Sequence, residues 1–200
     1  MRISVIPERN KLAVSFVRLA SKAFLSPFFK TDVRGTCNIP QKGSFVLLPK
    51  HQRWEDIPLL GMSVKRPLYY VAKKELFDNF FSKRFIAVLG GLPIDRSRPV
   101  RSRYTLACIL RKLEDGEGMV VFPEGTYFKN RMGPGHAGLI RMIHSSINTL
   151  FIPAGVRYSH EKYRTSVHMS FGEPIEGNSH KDTRELFNDI MTGILKLSGF

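Results

Sequence analysis

The sequence has little cysteine and no long uninterrupted apolar run. Two cysteines, Cys37 and Cys108, are too few for a disulfide framework, and no C-x-x-C pair indicates a zinc site. Internal repeats, low-complexity tracts and linker-like segments are also missing. These absences exclude disulfide-stapled, zinc-ribbon and repeat proteins. They favour a reduced protein on the cytosolic side of the membrane.

Acidic residues are scarce as well. The chain has 31 lysines and arginines against 17 aspartates and glutamates, which gives a formal net charge of +14 and a pI of about 10.1. A surface of that sign attracts the phosphates and carboxylates of nucleic acids, anionic lipids, acidic proteins or small molecules, and charge alone does not choose among them. Because 42% of the 200 residues are hydrophobic, the chain can bury a core, which excludes a disordered tail.

The most apolar stretch, residues 12–29, does not have the pattern of a membrane span or a cleaved signal peptide because Arg18 and Lys22 interrupt it. Its polar residues recur every three or four positions, which places them on one stripe of a helix that Pro27 limits. The stripe consists of Lys11, Ser15, Arg18, Ser21, Lys22 and Ser26. We therefore predict that residues 1–36 form an amphipathic helical segment. It lies either in a membrane interface or against its own domain with its cations facing water.

From residue 37 onward, short apolar runs alternate with longer segments of helical periodicity. Strands are predicted at 44–48, 68–72, 92–94, 119–122, 150–156 and 166–171, helices at 54–63, 101–113, 137–145 and 184–197, and a mixed segment at 84–89. Strands separated by helices indicate an α/β fold, a sheet with helices on its faces. In such folds the chemistry lies in loops at the carboxyl ends of the strands.

The loop after the first predicted strand carries His51 and Asp56. If His51 lies in the turn and Asp56 in the first turn of the next helix, the carboxylate can orient the imidazole and support its protonated form. No serine nucleophile is nearby, so the hydroxyl to be activated would belong to a substrate. A surface histidine with an ordinary helix-start aspartate is the alternative.

A second strand end carries glycines and arginines. Gly91 lets the backbone approach a ligand closely, and Arg96 and Arg98 offer planar forks that suit a phosphate. A solvated basic loop would have the same composition.

The third strand end is the sharp turn at residues 123–126. It exposes the carboxylate of Glu124, the amide of Gly125 and the hydroxyl of Thr126. Such a turn can donate amides to an anion, and its carboxylate can accept hydrogen bonds from a polyol. An ordinary turn at a strand end would look similar.

Taken in order, these segments resemble the lysophosphatidic acid (1-acylglycerol-3-phosphate) acyltransferase family of the glycerolipid acyltransferases. The family's blocks are matched by His51 and Asp56 (His-x4-Asp), by Gly90, Leu92, Ile94, Asp95 and Arg96 (Gly-x-Leu-x-Ile-Asp-Arg), by residues 122–126 (Phe-Pro-Glu-Gly-Thr), and by Ile152 and Pro153. The resemblance runs from about residue 37 to residue 197. Two blocks differ from the family pattern. Around His51, Lys50 stands where the family usually has asparagine, and residues 52–54 lack the usual small hydroxyl residue. In the third block, Tyr127 stands where the family often has arginine.

The resemblance implies a mixed, mostly parallel sheet flanked by helices, with residues 37–200 as the catalytic domain. It implies transfer of a fatty acyl group from acyl-CoA or acyl carrier protein to the free hydroxyl of a lysophosphatidate-type acceptor, without a metal or other cofactor. Another lysophospholipid or glycerol-3-phosphate is the alternative acceptor. The implied roles are general base for His51, orientation of that base for Asp56, phosphate binding for Arg96 and Arg98, and acceptor binding for Gly91, Glu124, Gly125 and Thr126.

The resemblance also implies a peripheral protein on an anionic membrane surface, at its cytoplasmic side, with the N-terminal helix in the interface. A basic nucleic-acid-binding module is a distant alternative, since no aromatic RNA-binding motif or helix-turn-helix signature is present. A metal site built from His51, His136 and His144 has no ligand-like spacing. We therefore expect neither nucleic acid nor metal as a partner.

Overall fold

Within residues 8–95 and 103–200, which the computed structural model describes, eight strands form one sheet. The strands are β1 (Phe29–Arg34), β2 (Phe45–Pro49), β3 (Leu68–Lys73), β4 (Gly91–Ile94), β5 (Gly118–Val120), β6 (Leu150–His160), β7 (Thr165–Phe171) and β8 (Ile175–Glu176). Their order is β1-β7-β6-β2-β5-β3-β4, and β8 pairs with β6. Strand β6 is antiparallel to β7 and β8, and the other pairs are parallel, which confirms the predicted mixed, mostly parallel sheet.

Six helices lie on the two faces of this sheet in the described part of the chain. They are α1 (Lys11–Leu25), α2 (Asp56–Ser63), α3 (Phe80–Val88), α4 (Arg103–Glu114), α5 (Gly138–Ser146) and α6 (Thr183–Ser198). Side chains alternate along a strand, so Leu47 of β2 packs with α2 on one face. Leu48 packs with α4, α5 and α6 on the other. Strand β2 is buried along its whole length, as expected for a central parallel strand.

The N-terminal segment contains a strand as well as the predicted helix. Helix α1 ends at Leu25, shortly before Pro27, which cannot continue a helix. Residues 29–34 then form β1, which the sequence did not predict, and β1 pairs with β7 so that Asp32 lies opposite His168. The main sheet therefore begins within the segment 1–36, and the division of the chain at residue 36 stays a prediction.

Helix α1 leaves part of its apolar side exposed. Leu12, Phe16, Leu19 and Phe24 are exposed, whereas Val14 and Val17 are half-buried and Leu25 is buried. Lys11 and Lys22 face outward, while Arg18 donates from its guanidinium to Val64 O (2.9 Å) and Lys65 O (3.0 Å). The helix therefore packs on the domain with one part of its apolar side, and its position in a membrane interface stays a prediction. No helix among residues 8–95 and 103–200 is long and apolar enough to cross a bilayer.

The start of α1 is fixed to the domain by two residues. Asn10 caps the helix by accepting from Ala13 N, and its own backbone N donates to Val88 O at 3.0 Å. Arg9 donates to both carboxylate oxygens of Glu117, at 2.9 and 3.0 Å, and its guanidinium lies 4.6 Å from the centre of the Tyr69 ring. Helix α1 is therefore attached to the sheet domain at its first turn and, through Arg18, at its middle.

Candidate active site

The candidate site lies where two neighbouring parallel strands end. Strands β2 and β5 pair with Leu47 opposite Val120, and both chains then leave the sheet at the same edge. The first carries Lys50 and His51 into a loop, and the second carries the turn that contains Glu124. These residues thus meet at the carboxyl ends of the strands, where the strand pattern predicts the chemistry to lie.

His51 and Asp56 form a hydrogen-bonded pair. His51 Nδ1 lies 3.0 Å from Asp56 Oδ2, both side chains are nearly buried, and Asp56 is the first residue of α2. The same oxygen accepts from the backbone N of Gln52 (2.6 Å) and of Arg53 (2.8 Å). The turn therefore wraps around the carboxylate, which explains how two residues five apart can meet.

Tyr158 holds the other oxygen of that carboxylate. Its hydroxyl donates to Asp56 Oδ1 at 2.5 Å, and the Arg53 guanidinium lies 4.4 Å from the centre of its ring. Burial, together with the adjacent Asp56 carboxylate, raises the pKa of Tyr158 above its usual range, so the hydroxyl stays a donor. Sequence reasoning missed this residue. The available signal was the alternation of β6, in which Ala154, Val156 and Tyr158 point to one face.

Aromatic rings enclose the imidazole of His51. Phe122 stacks on it with ring centres 3.8 Å apart, and Tyr127 approaches edge-on at 4.4 Å. With Nδ1 donating to Asp56, a neutral His51 carries its lone pair on Nε2. The enclosed ring can then turn little, so the direction in which Nε2 accepts a proton is fixed by packing.

Glu124 lies behind His51 in a buried ion pair with Lys50. Lys50 Nζ donates to Glu124 Oε1 (3.0 Å) and Oε2 (2.8 Å), and both side chains are fully buried. Oε2 also accepts from the backbone N of His51 (3.1 Å), and Oε1 from that of Gly133 (2.6 Å). The hydrogen bonds that the described residues make to this carboxylate are thus all internal, so its predicted contact with an acceptor stays untested.

Lys50 joins the two motif loops. Besides Glu124, its ammonium donates to His51 O (3.1 Å) and Phe128 O (2.7 Å). Burial lowers the pKa of Lys50 below its usual range, and the Glu124 carboxylate opposes that shift. Lys50, which stands where the family usually has asparagine, therefore connects the loop of His51 with the loop of Glu124 in this chain.

The remaining predicted site residues fall into three groups. Gly125 and Thr126 lie in the turn beside His51; Gly125 has a φ of 68°, which favours glycine, and its amide donates to Phe122 O at 3.1 Å. Gly91 is the first residue of the edge strand β4, where it pairs with Tyr70 and where a Cβ would come within 2.2 Å of the Ile86 side chain. Its predicted contact with an acceptor stays untested. Arg96 and Arg98 lie outside the described residues.

Comparisons with known proteins agree with the motif pattern. Residues 30–157 match the family model described as Acyltransferase. The 1-acyl-sn-glycerol-3-phosphate acyltransferase of Bacillus subtilis is 32% identical over 112 residues, which cover 56% of this chain and 55% of that protein. The protein of the same name from Pseudomonas aeruginosa is 40% identical over 101 residues, or 48% of this chain and 37% of the relative. The chain spans about half the length of the first curated relatives it matches.

A solved structure shares the fold. The crystal structure of the 1-acyl-sn-glycerophosphate acyltransferase PlsC from Thermotoga maritima superposes with a TM-score of 0.75 over 93% of this chain and 78% of that one. The two sequences are 22% identical, so this match shows a common fold.

Proposed function

The chain belongs to the acyltransferase family, and on that basis we propose that it transfers a fatty acyl group from a thioester to the free hydroxyl of a lysophosphatidate-type acceptor. The donor is acyl-CoA or acyl carrier protein. The observation that carries the proposal is the His51–Asp56 pair, with Nδ1 on the carboxylate and the ring enclosed by Phe122 and Tyr127. This arrangement suits a general base whose tautomer and direction are fixed.

In the proposed reaction His51 Nε2 accepts the proton of the acceptor hydroxyl as its oxygen attacks the thioester carbonyl carbon. Asp56 stabilises the imidazolium that forms, because its carboxylate remains hydrogen-bonded to Nδ1. When the tetrahedral intermediate collapses, the carbon–sulfur bond breaks and the leaving thiolate takes the proton back from Nε2. No covalent acyl-enzyme is needed.

We assign acceptor binding to two of the motif segments. Arg96 and Arg98, which lie outside the described residues, are the proposed ligands of the acceptor phosphate, because a guanidinium can donate two hydrogen bonds to it. Gly125 and Thr126, in the turn after Phe122, are the proposed contacts of its glycerol. Tyr127 stands at the position where the family often has arginine, and its ring contacts His51. Because tyrosine lacks the positive charge with which arginine binds a phosphate, this difference supports one second candidate, a related lysophospholipid acceptor whose headgroup differs from lysophosphatidate.

We also propose that the reaction takes place at the cytoplasmic face of an anionic membrane, with α1 in the interface. Four large apolar side chains of α1 face away from the domain, and the net charge of +14 suits both anionic lipid and an anionic acyl donor. An acceptor with a long acyl chain resides in that interface, so the enzyme must meet it there.

The test is thiol release from a long-chain acyl-CoA, measured with and without lysophosphatidate, for the wild type, His51→Ala and His160→Ala. His160 is an exposed histidine at the end of β6 whose ring is hydrogen-bonded to Thr165 rather than to His51 or Asp56, so it serves as the matched control. We expect acceptor-dependent release that His51→Ala lowers at least about 100-fold. His160→Ala should leave the rate unchanged.

Other outcomes would redirect or refute the proposal. Release that does not require an acceptor indicates a thioesterase. Release that requires a different lysophospholipid supports the second candidate. A His51→Ala rate equal to that of the wild type would refute the assigned base, whichever acceptor is used. The same series with acyl carrier protein identifies the donor.

A further inference from the structure

Helix α3 and the turn before it expose four large apolar side chains that no part of the fold covers among the described residues. Phe80 is 70% exposed, Phe81 80%, Phe85 58% and Leu76 51%. We call this group the α3 patch. Single exposed apolar residues are common on protein surfaces, but a cluster with three phenylalanines on one short helix marks a contact surface.

The α3 patch lies on the same side of the molecule as α1. Tyr70 packs with the core under α2, and Gly91 is its partner in the parallel pairing of β3 and β4. A Cβ on Gly91 would point at Ile86 of α3. Residues paired in parallel register point to the same face of a sheet, so α3 covers the face that α2 and α1 cover. The two helices also meet directly, because Asn10 N donates to Val88 O.

The first turn of α3 lies toward the edge of the sheet that carries His51. Strand β3 runs parallel to its neighbour β5, which runs parallel to β2, so all three end at that edge. From the end of β3, a single 3-10 turn (Lys74–Phe77) leads to α3. Phe80 and Phe81 are therefore at the end of α3 that is closer to the candidate active site.

Charge indicates the chemistry of the partner. Lys83 and Arg84 are exposed on the same helix, next to Phe85. Phenylalanines flanked by lysine and arginine are typical of surfaces that lie in the headgroup region of an anionic bilayer. A protein partner would be expected to cover the patch with matching polar contacts as well as apolar ones.

We propose that the α3 patch is a second lipid-contacting surface, distinct from α1, and that the two together orient the molecule on an anionic bilayer. Contact through α1 alone leaves the domain free to rotate about the axis of that helix. A second contact that lies off this axis stops the rotation and fixes the orientation. The inference rests on the proposed function only in taking the acceptor from a membrane. Its test measures binding and needs no catalysis.

The experiment is vesicle co-sedimentation of the full chain with phosphatidylcholine vesicles, with and without phosphatidylglycerol. Phe80→Ser/Phe81→Ser should lower the partition coefficient at least about tenfold, since two phenylalanines no longer enter the interface. Lys83→Glu/Arg84→Glu should lower the partition coefficient on anionic vesicles by at least about fivefold for each cation removed, and should change it little on neutral vesicles. Leu12→Ser/Phe16→Ser on α1 is the positive control.

The matched negative control is Phe200→Ser. Phe200 is an exposed aromatic that follows α6, a helix packed on the opposite face of the sheet. It should leave partition unchanged. Because all of these side chains are exposed, their thermal unfolding midpoints should equal that of the wild type.

A water-soluble, short-chain lysophosphatidate separates this inference from the proposed function. Phe80→Ser/Phe81→Ser should turn over that acceptor like the wild type while losing activity on vesicles. If the wild type has no acyltransferase activity, the partition data still decide the role of α3. Partition of Phe80→Ser/Phe81→Ser within about twofold of the wild type, with the α1 variant impaired, overturns the proposal. A raised KM for acyl carrier protein with unchanged partition also overturns it and assigns the patch to a protein.

Discussion

Replacing Glu124 by glutamine tests the ion pair behind the candidate base. The substitution keeps the shape of the side chain but leaves the Lys50 ammonium buried without its counter-charge. Breaking a buried pair by removing one partner costs about 3–5 kcal/mol. In a domain of this size that corresponds to a thermal unfolding midpoint lower by roughly 6–20 °C. The new amide group would also face a backbone N–H of His51 or Gly133, where the carboxylate had accepted.

The control is Asp32→Asn, the same change of a carboxylate to an amide at an exposed residue that pairs with Arg34 and His168. Exposed pairs contribute little, so its midpoint should fall by less than about 4 °C. Differential scanning calorimetry at neutral pH measures both. If Glu124→Gln lowers the midpoint no more than Asp32→Asn does, the reasoning about the buried pair is refuted.

A second variant makes the reasoning sharper. Lys50→Met added to Glu124→Gln removes the uncompensated charge, so the double variant should be more stable than Glu124→Gln alone. A double variant that is less stable than the single one would mean that Lys50 stabilises the fold through its packing and its hydrogen bonds to His51 O and Phe128 O rather than through its pairing with Glu124. Activity should fall in Glu124→Gln as well, because the carboxylate holds the backbone of His51, the proposed base, and small displacements of such a group are costly.

Two further predictions concern Tyr158. Tyr158→Phe removes one donor from Asp56 while the backbone donors remain, so kcat should fall about tenfold with KM for the acceptor unchanged. A tenfold rise in KM with kcat unchanged would contradict a positioning role. Burial raises the pKa of Tyr158 and Tyr70 in the folded state, so the folded chain keeps protons that the unfolded chain releases above its ordinary value of about 10. Urea unfolding midpoints should therefore fall as the pH rises above about 10, less steeply in Tyr158→Phe, and equal slopes would contradict the assignment.

The α/β fold class and most buried strands could be predicted from sequence because their signals are local. A run such as residues 45–48 is apolar on both faces, and turn residues flank it. Strand β1 gave no such signal. It is a short edge strand of mixed polarity, and its partner β7 lies more than 130 residues away, as in the pairing of Asp32 with His168.

Helix α3 shows a different limit of sequence reasoning. The pattern over 84–89 is mixed because Phe80, Phe81 and Phe85 face outward, so apolar spacing does not report the buried side. Helix α1 has a broad apolar face, but its sequence does not show that Val17 and Leu25 pack inward while Phe16 stays exposed. In both helices several large apolar side chains are exposed, contrary to the usual rule.

The candidate site was partly predictable for the same physical reason. His51 and Asp56 are close in sequence, so one turn brings them together. Lys50 and Glu124 are 74 residues apart, and Tyr158 is 102 residues from Asp56. Contacts of that separation depend on which strands become neighbours, and that is decided by the sheet rather than by any local pattern.

The attachment of α1 at Arg9, Asn10 and Arg18 has a practical consequence for spectroscopy. A helix held at its first turn and its middle moves with the sheet as one rigid body, without a hinge at its start. A spin label or fluorophore at an exposed position such as Leu19 would therefore report the immersion depth of a point that is fixed relative to the sheet. Labels at Leu19 on α1 and at two exposed positions on other helices would together give the tilt of the domain and the depth of His51, because the distances among them are set by the fold.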